Sequence, residues 1–127
     1  CRTSNPGGDD LQGLDVGGRP LYLRVAEMVA GEWAQRGDCG LVVGATRPDE
    51  LREVRAVAGA LPILVPGVGA QGGDPAAAVA AGVDANGRGL MVSASRSIIY
   101  AGRGDDFAER ARDAAVAARL AALPDGW

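Results

Sequence analysis

Three short apolar runs, roughly 20–30 residues apart, constrain the fold of this chain more than any other feature. They occupy residues 40–44, 62–65 and 89–93. Each run is too short for a helix and too apolar for a strand with one face in water. Each therefore predicts a buried parallel strand.

Apolar residues recur at helical spacing before the first of these runs. Pro20 begins the pattern and Gly37 ends it. The predicted inward face consists of Tyr22, Val25, Ala26, Val29 and Trp33. We interpret Trp33 as a core residue, since it lies on this apolar stripe.

Three further helices are predicted after the strands. One starts at Thr46 and Pro48, with Thr46 as its N-cap, Leu51 to Ala58 supplying its inward side chains, and its charged residues between 49 and 55 on a solvated face. Asp74 is a suitable N-cap for a helix over residues 75–81. An alanine-rich helix is predicted over residues 106–121.

Such a βα repeat builds either a (β/α)8 barrel or a doubly wound sheet. The chain has 127 residues, about half of the ~250 in a usual barrel. Residues 1–8 have the pattern of a strand end and its loop. We therefore predict an α/β fold, the C-terminal half of a (β/α)8 TIM barrel, with residues 1–127 as a single partial domain. Because the first residue is Cys1 rather than Met, we expect the N-terminal half to be absent from this sequence.

The composition limits the chemistry. The chain has no histidine, and all 13 of its cationic side chains are arginine. Because arginine stays protonated, it is poorly suited to proton transfer. The chain therefore has no cationic side chain, His or Lys, that could act as a general acid or base. The net charge of −3 and the lack of a basic stripe argue against a nucleic-acid partner. Without a signal peptide or an apolar run of membrane-spanning length, we expect a cytoplasmic protein with no membrane partner. Cys1 and Cys39 do not have metal-ligand spacing, so no metal site is predicted.

Two segments together predict a phosphate site. Residues 66–74 form a glycine-rich loop that leads into a helix N-terminus, and Gln71 adds an amide donor. Arg96 follows the last strand, where barrel enzymes place functional groups, and its guanidinium matches phosphate oxygens. Either segment alone is better explained as an ordinary loop. As neighbours at one edge of a parallel sheet, they favour phosphate binding.

Residues 2–8 could hydrogen-bond a heterocycle through Ser and Asn side chains, but the same residues are typical of an ordinary turn. From composition and spacing alone, the turn is the better explanation.

Four segments make the chain resemble the orotidine 5'-phosphate decarboxylases, in particular the bacterial type 2 group. They are Thr-Ser-Asn-Pro-Gly at 3–7, Val-Val-Gly-Ala-Thr at 42–46, Pro-Gly-Val-Gly-Ala-Gln-Gly-Gly-Asp at 66–74 and Ser-Arg-Ser-Ile-Ile-Tyr-Ala at 95–101. The third string is long and specific to the family, and the others support it. The similarity runs over essentially the whole chain.

The resemblance implies a (β/α)8 barrel that works as a homodimer, without a metal or organic cofactor. It implies that orotidine monophosphate is decarboxylated to uridine monophosphate in pyrimidine biosynthesis. Gln71 and Arg96 would hold the 5'-phosphate, helped by a backbone N–H near Ser95.

The resemblance also implies that Ser4 binds the amide edge of the pyrimidine, which reverses the preference for a simple turn. Pro66 and Val68 would line the apolar pocket beside the departing carboxylate. The alternating Lys and Asp residues that carry out the chemistry in this family have no counterpart in the chain. We therefore expect it to hold the binding side of the site and to be inactive alone.

Two alternatives remain open at this point. One is a related barrel lyase acting on sugar phosphates, which would share the phosphate site. The other is a non-catalytic half-barrel that binds phosphorylated ligands or pairs with another half, since its exposed strand edges favour association.

Overall fold

The computed structural model describes residues 1–69 and 72–123. Its centre is a parallel sheet of three strands in the order β1-β2-β3. The strands are β1 (Leu41–Val42), β2 (Ile63–Pro66) and β3 (Leu90–Ser93). All three lie within the predicted apolar runs or extend one by a single residue.

The opening residues lie alongside β1. Arg2 forms a single parallel bridge with Val43. The Arg2 N–H donates to the Val42 carbonyl at 3.2 Å, and the Gly44 N–H donates to the Arg2 carbonyl at 2.8 Å. The prediction that residues 1–8 contain a strand end and its loop is therefore confirmed, and four consecutive chain segments end at the same edge.

Helices alternate with the strands, which confirms the α/β class. A 3₁₀ turn, Pro6–Gly8, precedes the first short helix. The helices are α1 (Asp9–Gln12), α2 (Leu21–Met28, continued by a π-helical turn over Val29–Trp33), α3 (Pro48–Ala58), α4 (Pro75–Gly82), α5 (Arg96–Ile99) and α6 (Phe107–Ala122). The sequence pattern predicted α2, α3, α4 and α6 but not the single-turn helices α1 and α5. Among the described residues, no helix combines the length and apolar character that crossing a bilayer requires.

The two faces of the sheet differ in burial. Leu41, Val43, Ile63 and Val65 are buried in the core formed with the helices. Alternate residues point to the opposite face, where Val42 is 47% exposed and Met91 is 53% exposed. One face is thus covered by helices at β1 and β2, and the other presents uncovered apolar side chains, as expected for part of a barrel wall. The prediction of three buried strands is wrong for β3, which lies at the sheet edge and has no buried residue.

The helix caps agree only partly with the sequence. The Asp74 carboxylate accepts a hydrogen bond from the Ala77 N–H at 2.8 Å, so the predicted N-cap of α4 is confirmed. For α3 the N-cap is Arg47 rather than Thr46, and no side chain caps that helix end. Pro48 begins α3 directly because its fixed φ suits the first turn.

The prediction of Trp33 as a core residue is wrong, since this side chain is 45% exposed. The π-helical turn is the physical reason. The Ala34 N–H donates to the Val29 carbonyl at 3.0 Å, one residue beyond α-helical spacing. Val29 is buried as predicted, but the wider turn rotates Trp33 off the inward stripe.

The predicted solvated face of α3 is also partly wrong. Arg55 is only 7% exposed. Its guanidinium donates to four backbone carbonyls, at 2.6 to 2.9 Å, those of Gly82, Gly59, Leu61 and Gly89. Arg55 therefore ties α3 to the end of α4 and to the loop before β3. Burial lowers the pKa of this guanidinium.

Candidate functional site

The candidate site lies where the parallel strands end. Ser4 follows the opening strand segment, Gly44 follows β1, Pro66 is the last residue of β2, and Ser93 is the last residue of β3. Pro66 and Ser93 are partners in register. In barrels this edge carries the functional loops, so the sheet brings most of the predicted site residues to one side.

Ser4 is held closely against the end of β1. A Cβ atom at Gly44 would lie 2.1 Å from the Ser4 Oγ and 2.9 Å from the Ser4 backbone nitrogen. Only glycine leaves room for Ser4 in this position. The turn and the strand end are therefore packed as one unit.

A cavity of about 300 Å³ opens beside Ser4. Pro66 lines it together with Val42, Gly44 and Gln12. The structure thus brings Ser4 and Pro66 to one cavity with a polar and an apolar wall. Such a cavity can receive a flat heterocycle whose edge has hydrogen-bonding groups.

Val68 lies elsewhere. It is 7% exposed and lines a second cavity of about 600 Å³, between β3, α4 and α6. The loop after β2 folds back there, because Val68 bridges Gly73 and the Gly69 N–H donates to the Gly73 carbonyl at 2.9 Å. Pro66 and Val68 therefore line different cavities in this structure. A shared role beside a carboxylate remains a prediction.

The glycine-rich loop has the predicted backbone freedom at three points. Gly67, Gly69 and Gly72 have φ values of 90°, 72° and 85°, which favour glycine. Gln71, the predicted amide donor to phosphate, lies outside the described residues. The loop leads into the capped N-terminus of α4, which is suited to anions.

Ser95 and Arg96 follow β3 at the same edge. The Ser95 carbonyl accepts from the N–H groups of Ile98 and Ile99, at 3.0 and 2.8 Å, so Ser95 starts the short helix α5. Arg96 is exposed. Within the described part of the chain it makes no salt bridge, and its guanidinium is available for an anion.

Sequence reasoning missed a charged cluster beneath the Ser4 turn. Arg2 is 4% exposed and pairs with Asp9 in α1 and with Glu50 in α3. Arg47 contacts the same two carboxylates, at 2.6 Å and 3.2 Å. The only sequence signal is an arginine within a strand end that the fold must bury. Across residues 1–69 and 72–123, no group of three His, Cys, Asp or Glu side chains could hold a metal ion.

Comparisons with known proteins agree on one family. The family model described as "Orotidine 5'-phosphate decarboxylase / HUMPS family" matches residues 1–112. The orotidine 5'-phosphate decarboxylase of Azoarcus sp. (strain BH72) is 62% identical over 119 residues, which cover 94% of this chain and 44% of that protein. The enzyme of Dechloromonas aromatica (strain RCB) is 58% identical over the same shares. The chain thus spans less than half the length of these relatives.

Solved structures agree on the fold. The Leishmania donovani UMP synthase structure matches with a TM-score of 0.79 and 45% identity, over 95% of this chain and 26% of that one. The Leishmania donovani OMP decarboxylase structure matches with a TM-score of 0.78 and 40% identity, over 98% of this chain and 46% of that one. With most of its residues matched by the family model, the chain belongs to the orotidine 5'-phosphate decarboxylase / HUMPS family.

Proposed function

We propose that the full-length protein to which this chain belongs decarboxylates orotidine monophosphate to uridine monophosphate and CO2. The observation that carries this proposal is the 62% identity to an orotidine 5'-phosphate decarboxylase over 94% of the chain. The alternative of a sugar-phosphate lyase has less support, because the cavity beside Ser4 suits a heterocycle.

In this proposal the chain supplies the binding side of the site. Ser4 would hydrogen-bond the amide edge of the pyrimidine, and Gln71, Ser95 and Arg96 would hold the 5'-phosphate. The opening segment and β3 are three strand spacings apart, or roughly 14 Å along the sheet edge. That separation suits a ligand with a base at one end and a phosphate at the other.

The chemical step in this family requires a lysine as proton donor, and this chain contains no lysine. Once CO2 has left, the carbanion on the pyrimidine must be protonated, and the family uses a lysine for this. The sequence has no lysine and no histidine. We therefore propose that residues 1–127 belong to a larger catalytic domain and are inactive alone.

We also propose that the full-length protein is a cytoplasmic homodimer that uses no metal or organic cofactor. Its binding partner would be the small-molecule nucleotide rather than a nucleic acid or a membrane.

A decarboxylation assay tests the function. The full-length protein is expected to release CO2 from orotidine monophosphate, while the isolated 127-residue chain at equal concentration is expected to release none. Turnover of a hexulose or pentulose phosphate by the full-length protein, with no turnover of orotidine monophosphate, would contradict the proposal. Product formed by the isolated chain would contradict its expected inactivity.

Gly44→Ala tests the base contact. The new Cβ would overlap the Ser4 Oγ, so Ser4 must move, and one hydrogen bond to the base would be lost. We expect the affinity for uridine monophosphate in the full-length protein to fall by about tenfold, measured by calorimetry. Gly7→Ala is the matched control in the same loop, because nothing lies within 4 Å of a Cβ atom there. Equal affinities in the two variants would remove Ser4 from the site.

A further inference from the structure

We propose that Arg2 is a positioning residue that fixes the Ser4 turn at the base end of the nucleotide site. The inference rests on the proposed function, because it assigns Ser4 to the base. Arg2 borders the cavity beside Ser4, and its proposed role is to determine where Ser4, the contact to the base, lies.

The backbone of Arg2 hydrogen-bonds to β1, whereas its side chain pairs with residues of α1 and α3. Its backbone is bound to β1 on both sides, through the Val42 carbonyl and the Gly44 N–H. Its side chain leaves the sheet and pairs with Asp9 in α1 and Glu50 in α3, with a further contact to Glu50 at 3.1 Å. Arg2 therefore links the end of the opening strand segment to α1 and to α3.

Gln12 completes the closure of the turn. Its Oε1 accepts from the Thr3 N–H at 2.9 Å and from the Arg2 guanidinium at 3.3 Å. The turn is consequently hydrogen-bonded to Gln12 at Thr3 and packed against the Gly44 backbone at Ser4. The start of the turn, at Thr3 and Ser4, is therefore packed against the contacts of Arg2.

The charges of the cluster balance, which explains why a guanidinium can be buried there. Arg2 and Arg47 face the carboxylates of Asp9 and Glu50, and the Tyr22 ring lies 5.5 Å from the Arg2 guanidinium. The hydrogen bond from Arg2 lowers the pKa of Asp9, with a further contribution from Arg47. A buried cation with several partners favours one arrangement of the groups around it, and without Arg2 the carboxylates of Asp9 and Glu50 would be paired with Arg47 alone.

The cluster acts on one end of the site only. It lies under the turn after the opening segment, whereas Ser95 and Arg96 follow β3, with β1 and β2 between. Loss of Arg2 should therefore affect recognition of the base and leave recognition of the phosphate intact. A residue that only stabilised the fold would affect both equally.

The test compares the affinities of the full-length protein for uridine monophosphate and for ribose 5-phosphate. Arg2→Gln is expected to weaken uridine monophosphate binding by about tenfold, the value of one displaced hydrogen bond. Binding of ribose 5-phosphate, which has no base, is expected to change less than about twofold. Arg2→Lys keeps the charge without the planar fork and is expected to restore part of the difference. Arg52→Gln is the control, since Arg52 lies on α3, the helix of Glu50, and its salt bridge among the described residues is with exposed Asp49.

Each outcome bears on one proposal. If the wild-type protein binds neither uridine nor orotidine monophosphate, the proposed function is wrong. If the wild-type protein binds and Arg2→Gln binds equally well, or loses both ligands to the same extent, the role of Arg2 is wrong. If circular dichroism shows that Arg2→Gln is unfolded, Glu50→Gln and Gln12→Ala decide by the same two-ligand comparison.

Discussion

Replacing Arg96 by alanine in the full-length protein is expected to weaken binding of uridine monophosphate by roughly 30- to 150-fold, or about 2–3 kcal/mol. A charge-assisted contact between guanidinium and phosphate would be lost, and the partly desolvated phosphate would be left with the uncharged donors of Gln71 and Ser95. Because Arg96 is exposed and forms no salt bridge with the other described residues, the thermal unfolding temperature should not change. Calorimetric titration and a thermal melt measure the two effects separately.

Arg112→Ala is the matched control for Arg96→Ala. Arg112 is an exposed arginine of α6 that pairs with Asp113, so its loss changes the net charge equally without reaching the strand ends. An unchanged affinity in Arg96→Ala would remove Arg96 from the site. The turnover number is also expected to fall, because binding energy from a remote phosphate can be used in the transition state.

Replacing Arg55 by leucine is expected to destabilise the full-length protein by about 3–4 kcal/mol. Leucine fills part of the volume but removes the guanidinium donor from four carbonyls, those of Gly82, Gly59, Leu61 and Gly89. The Gly82 contact is the buried one, whereas the Gly89 carbonyl keeps the Ile63 N–H as a donor. Buried acceptors that lose their partner carry the full cost of desolvation. Urea unfolding followed by circular dichroism measures the change.

Arg36→Leu provides the comparison for Arg55→Leu. Arg36 is an exposed arginine paired with Glu32 at helical spacing, and such surface pairs contribute little. We expect a change within about 0.5 kcal/mol. If the two variants were equally stable, the four carbonyl contacts of Arg55 would not contribute to stability.

Local patterns in the sequence predicted much of the fold. The run at 62–65 became Ile63–Pro66, and the helix predicted to start at Thr46 and Pro48 spans Pro48–Ala58. In both cases the apolar pattern and a proline near the element's start determine the outcome within a few residues. Parallel pairing then places the strand ends at one edge, so the sequence also predicted that the segments proposed for the site share that edge.

Features that depend on the third dimension could not be predicted. Arg55 has the same local pattern as a solvated charge, and it is buried because α4 and the loop before β3 approach it with the Gly82 and Gly89 carbonyls. Trp33 follows a helical stripe, and a single π-helical turn removes it from the core. Val68 and Pro66 are two residues apart, yet the loop folds back and separates them into two cavities. In each case the conformation depends on backbone geometry or on contacts that the apolar pattern does not reveal.

The strand order has a consequence for folding kinetics. Every described strand pairs with the one before it in the chain, starting with Arg2 beside β1. In the β1-β2-β3 sheet each pairing closes a shorter loop than pairing between strands distant in the chain would, and therefore costs less chain entropy. Sheet formation can thus advance in the order of synthesis. The slow step in refolding is therefore expected to be the covering of the apolar face that Val42 and Met91 present.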